Sequence, residues 1–319
     1  MMSLFEMFRK RVVRSATGPF QHAAYPLARS LDHAGDPGLF GPGSVTWEIV
    51  GDVAAFIGGI RALLMQAAHP EVVAGVFDHS RYREDPLGRL SRTSNYVTAS
   101  AFGSVPEVEY AVSMVRRAHR PIKGTSHRGR EYTAETPELA AWVHNALTDS
   151  FLATYRSFGA RRLAEAEADR YVQEQARLGS MLFADPLPKT ARELSTWLNS
   201  HADAGPSPGM SEAVRFIQSP PLDPAVKGGY KVMYWAAAAT IPKRTRAILG
   251  IRRYPGAIWA GRLITGYLRW ALGASPSWLL ALVRAGAPIP DGVFKQPIPP
   301  AALEGRDITT LPSAALPAA

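Results

Sequence analysis

The chain has 319 residues, 46% of them hydrophobic and 20% charged, which is enough to bury a large core and enclose a pocket without covalent staples. It has no cysteine, which excludes disulfides, thiolate zinc sites, iron–sulfur clusters and a cysteine nucleophile, and leaves its eight histidines as the natural ligands for a borderline metal. The formal charge of +9 is spread along the chain without a nucleic-acid recognition motif, so nucleic acid is not expected as a partner; an anionic membrane surface or an anionic cofactor remains.

Residues 1–45 read as a short basic, amphipathic helix and a Gly/Pro-rich lead-in. They contain no apolar run of signal-peptide length, and no later stretch has transmembrane character, so the expectation is a cytoplasmic protein with at most peripheral membrane contact. Ser44 can cap the next segment, and Trp47 to Ala68, apolar on nearly all sides, reads as a central core helix ended near Pro70. A helix over Glu71–Phe77 follows, then a polar turn, then a helix from Arg89 to Phe102 stopped by Gly103. Ser104 and Glu107 form a capping box with Pro106 in the first turn, and that helix runs to Arg120, where Pro121 breaks it.

Residues 121–135 read as a loop, and Thr136-Pro137-Glu138 starts a helix that reaches Phe158. Further helices are expected over 160–184, 189–201, 210–218, 224–240 and 256–286, before a Pro/Ala-rich tail, 287–319, read as irregular or disordered. Valine and isoleucine do not alternate, so little or no sheet is expected. The fold class is therefore all-α, with one large helical domain over 46–286.

Val108, Val112, Val115 and His119 are spaced four, three and four apart and share one helix face, so an imidazole ends an apolar stripe. Such a ring either bonds a buried partner or ligates a metal. His144 is placed similarly, on a face with Ala140, Leu147 and Phe151. His69 sits at the end of the apolar run, where a helix-terminal role suits it. His22, His33, His79, His127 and His201 occupy polar or loop contexts and carry no assigned role. Glu-x-x-His pairs, His-Glu-x-x-His, the Walker loop and Gly-x-Ser-x-Gly are all absent. Gly58-Gly59 reads as a site of close helix packing or of close approach by a flat ligand. Arg89, Arg92 and Thr93 cluster at one helix start, either as a solvated cationic turn or as a group that binds carboxylates or orients a polar ligand.

The segments RALLMQAAHPEVVAGVFDHSRYREDPLGRLSRT, VRRAHRPIKG and YTAETPELAAWVHNALTDSFLATY, in this order and spacing, resemble the family of latex-clearing rubber oxygenases and MpaB-type oxygenases. The resemblance implies a globin-like helical core holding haem b, with His119 as the iron ligand. It also implies Arg89, Arg92 and Thr93 on the opposite side of the ring, with His144 near the bound oxidant and His69 among the cofactor contacts. The family pattern Arg-x-x-Lys-Thr has arginine in place of lysine at Arg92, and arginine has no lone pair to give to iron, so a resting site open or closed only by water is expected. Neither Glu71 nor Asp78 has the spacing of the family's upstream acidic base. The implied activity is haem-dependent oxygenation of a hydrophobic, isoprenoid or lipid-like small molecule using O2 or peroxide. The alternatives are oxidation of a small aromatic or peptide-derived substrate, or a non-enzymatic haem carrier or gas sensor.

Overall fold

The computed structural model describes residues 4–309 and 311–316. Helix α1 (Leu4–Thr17) leads through two 3-10 turns to α2 (Val45–Gly51) and α3 (Ala54–Gln66). The apolar run expected as one helix is therefore two. The break has a polar cause: Asp52 turns its carboxylate to cap the backbone N–H of Ala54 at 2.8 Å, and pairs in a two-point ion pair with Arg269, which lies 217 positions away. Next come α4 (Pro70–His79), α5 (Pro86–Phe102) and α6 (Val105–His119). Asp85 caps α5 through the Gly88 N–H, and Glu107 closes the capping box of α6 by accepting from the Ser104 N–H at 2.8 Å.

The stretch expected as pure loop contains a small antiparallel hairpin, β1 (Lys123–Thr125) with β2 (Glu131–Thr133), in register Gly124 opposite Tyr132. Helix α7 (Pro137–Phe158) is followed by α8 (Glu165–Met181), α9 (Ala191–Ser200), α10 (Pro208–Gln218), α11 (Pro224–Thr240) and a short α12 (Lys243–Ile248) that the residue pattern did not announce. The last stretch of helix divides at Gly273, whose φ of +69° suits glycine, into α13 (Ala257–Leu272) and α14 (Pro276–Arg284). Among the described residues the fold is all-α apart from the single hairpin.

The core centres on α3 and α7. A Cβ on Gly58 would stand 2.7 Å from a ring carbon of Phe151, so the two backbones approach as only glycine allows. Arg61, 1% exposed in α3, pairs with Asp149 at 2.7 Å, donates to Ser150 at 2.8 Å and reaches the Thr240 carbonyl, which ties α3, α7 and α11 together. Such a desolvated charge is tolerable because each face of the guanidinium fork has an acceptor.

A second buried arginine works outside this core. Arg284 donates to Ser30 Oγ at 2.6 Å, to the Phe102 carbonyl at 2.7 Å and to the Gly103 and Asp36 carbonyls, joining α14, the lead-in and the turn between α5 and α6. The tail beyond α14 is irregular, as read from its composition, but its described residues are packed: Ile298, Ala302 and Ala315 are buried beside Leu279 and Leu280. Pro-rich chain can be ordered without helix or sheet when its apolar residues find a core.

Candidate functional site

Helices α5 and α6 are joined through Gly103–Ser104 and are in contact with each other. The stripe on α6 changes along its length. Val108 and Val112 are buried against Leu178, Met181 and Leu182, whereas Val115 and His119 are only half-buried and Ala118 is exposed. The apolar face is thus covered near the turn and uncovered toward His119. No hydrogen bond engages the His119 ring among the described residues. Burial holds its pKa below the ordinary histidine value, against the opposing pull of Glu135, so the ring is neutral at pH 7 with a lone pair available.

On α5, Arg89, Thr93 and Tyr96 follow at four and three positions and share a face. Thr93 is exposed, and Arg89 is half-buried with its guanidinium carbon 5.8 Å from the Tyr82 ring centre. The Tyr96 hydroxyl is buried with no hydrogen-bond partner, and burial pushes its pKa up. Arg92 points elsewhere: it is exposed, and its guanidinium bonds Asp85 at 3.0 Å across the helix start.

His144 is 4% exposed, and its Nε2–H donates to the Gln175 carbonyl on α8 at 2.9 Å. Burial pushes its pKa down to about 4 despite that bond. Helix α8 comes so close that a Cβ on Gly179 would meet the imidazole at 2.8 Å. The surroundings are those of a satisfied core histidine joining two helices.

His69, the residue before α4, lies in a different neighbourhood. Its ring packs on Trp142, with centroids 5.3 Å apart, and edge-on to His201 at 5.5 Å. His201 in turn packs between Trp142 and Trp197. The carboxylate of Glu71 stands 3.3 Å from His69 Nδ1, but accepts its hydrogen bonds from Ser126 and Arg128. Asp203 completes the group and is paired with Arg130. Residue reasoning missed His201 and Asp203 because nothing in their local, polar context signals a meeting with a histidine more than a hundred positions earlier.

Residues 47–271 match the family model described as the ER-bound oxygenase mpaB/B′/rubber oxygenase catalytic domain. The chain belongs to this family. No curated protein and no solved structure gives a significant match. Membership of the mpaB/rubber oxygenase family makes the chain an enzyme of the oxygenase class, and so one that brings a small molecule together with O2. The matched segment contains His69, the start of α5, His119 and His144, and leaves α1 and α14 outside. No described helix is long and apolar enough to cross a membrane.

Proposed function

We propose that this oxygenase depends on haem b, with His119 as the iron ligand, and that it acts on a hydrophobic, isoprenoid or lipid-like molecule. The observation that carries this reading is the His119 imidazole itself: neutral, free of hydrogen bonds, and placed where the apolar face of α6 loses its cover. Two further features, both on α5, fit this reading. The buried Tyr96 hydroxyl lacks a partner, which marks space for a ligand or water. Arg89 offers a half-buried guanidinium of the kind that pairs with carboxylates such as the porphyrin propionates.

When bound, haem would supply the redox chemistry with O2 or peroxide that no side chain of this chain can provide. The residues do the rest. His119 would hold the group from α6, while Arg89 and Thr93 orient polar atoms from α5. Val72, Val97, Val143 and Leu147, apolar but only partly buried at the margin of the core, would favour a lipophilic substrate and exclude water. Arg92 is exposed and paired with Asp85, so this reading gives it no role.

The test is the absorbance spectrum of the purified protein beside that of His119→Ala. The parent should show a haem spectrum at one haem per chain. The variant should lose haem while its far-ultraviolet helical signal stays within about 10% of the parent. Equal haem content in both proteins overturns the assignment of His119.

The substrate class also suggests where the protein works. Trp259, Leu263 and Tyr267 lie four apart along α13 and are 68%, 54% and 42% exposed, and Met7 and Phe8 of α1 extend the patch, with Phe8 against Trp270. Exposed Lys10, Arg11 and Arg14 border it. An apolar stripe edged by cations complements an anionic bilayer surface. The full chain should sediment with vesicles containing phosphatidylglycerol and much less with pure phosphatidylcholine. Trp259→Ser with Leu263→Ser should lower binding by about tenfold or more. Vesicle binding unchanged by the double substitution removes this surface from the proposal.

A further inference from the structure

The cluster around His69 holds two polar atoms that no protein group satisfies. Nδ1 of His69 and Nδ1 of His201 are both buried without a hydrogen-bond partner, and His69 is only 3% exposed. One unpaired buried nitrogen in a native fold asks for a reason; two on adjacent rings ask for a common one. Each of His69, His201 and Asp203 offers a ligand atom, and these three atoms lie within 4.8 Å of one another. Zinc bonds to nitrogen and oxygen at about 2.0–2.2 Å, which places neighbouring ligand atoms roughly 3.5 Å apart, so the present spacing needs about 1 Å of closure.

We propose that His69, His201 and Asp203 bind a divalent transition ion of the zinc or ferrous class, separate from the His119 site. The ion would clip the segment after α9 to the junction of α3 and α4, two regions already in touch through the Gly205 N–H and the Ala68 carbonyl at 2.9 Å. Two imidazoles with one carboxylate favour such an ion over magnesium or calcium, which prefer oxygen ligands.

The surroundings are those of a held site. Trp142 and Trp197 fix the ring planes. Arg130 binds Asp203 through Oδ1, and no hydrogen bond engages Oδ2. Arg128 spans the Glu71 carboxylate at 3.1 Å and the Asp203 carbonyl at 2.7 Å. The Glu71 carboxylate stands 3.3 Å from His69 Nδ1 but outside hydrogen-bonding geometry, so it leaves that nitrogen free for the ion. Because the two arginines already offset the two carboxylates, affinity would come chiefly from the imidazoles.

The full chain, dialysed against a chelator and then titrated with zinc chloride, decides the matter. One zinc per chain should bind by calorimetry, magnesium in large excess should not compete, and the thermal midpoint should rise with zinc. His201→Ala and the near-isosteric Asp203→Asn should each weaken zinc binding by about tenfold or more. The second variant keeps the test open if the first fails to fold. His119→Ala should bind zinc as the parent does, so the two sites succeed or fail separately. Absence of a saturable one-to-one site, or equal affinity in Asp203→Asn and the parent, overturns the proposal and leaves ordered water as the partner of the two nitrogens.

Discussion

His119 ends an apolar stripe and His144 lies within one, both spaced at three and four residues, yet their rings meet different surroundings. His144 is locked to the Gln175 carbonyl and fully enclosed, and its neutral form is the one the fold accepts. Its pKa is about 4 in the folded chain, against an ordinary value of 6.5. Below pH 6.5 the unfolded chain therefore takes up a proton that the folded chain refuses. Its contribution to stability is complete above that pH and is lost as pH falls toward 4. Between pH 7 and pH 5 the loss is on the order of 2 kcal/mol. His144→Gln keeps a donor for the carbonyl and does not titrate, so its urea midpoint should fall less than that of the parent over this range; equal falls would show that His144 is not the group responsible. The stripes of both histidines were legible in the residue spacing. The bond that separates them was not, because Gln175 lies 31 positions further on and periodicity reports faces, not partners.

At the scale of elements, what could be read locally was read well. The capping box at Ser104, the start at Pro137 and the end at Phe158 all follow from caps and breakers that act within one turn. The break at Asp52 and the hairpin at Lys123–Thr133 did not show, since the first depends on distant Arg269 and the second on three-residue strands too short to alternate. The Gly58-Gly59 pair displays the same division. Both are helical glycines, but a Cβ on Gly58 would collide with Phe151 and Thr154, while one on Gly59 meets nothing within 4 Å. Gly58→Val should cost about 1–3 kcal/mol by forcing α3 off α7. Gly59→Ala should stabilise by up to about 1 kcal/mol through helix propensity. Urea unfolding of the two variants checks both signs; a harmless valine at position 58 would mean that close approach is not what keeps glycine there.

For the whole molecule, composition and the absence of alternation sufficed for an all-α reading, and the three resembling segments sufficed for the family. The arrangement around Arg284 was out of reach, because its partners come from two distant regions of the chain, the lead-in and the turn after α5. That residue lies beyond the matched segment, which ends at 271, yet it grips the Phe102 and Gly103 carbonyls where α5 turns into α6. The turn between the two helices is thus pinned by a guanidinium from outside the matched segment, and a fragment trimmed to residues 47–271 would keep both helices and lose that pin.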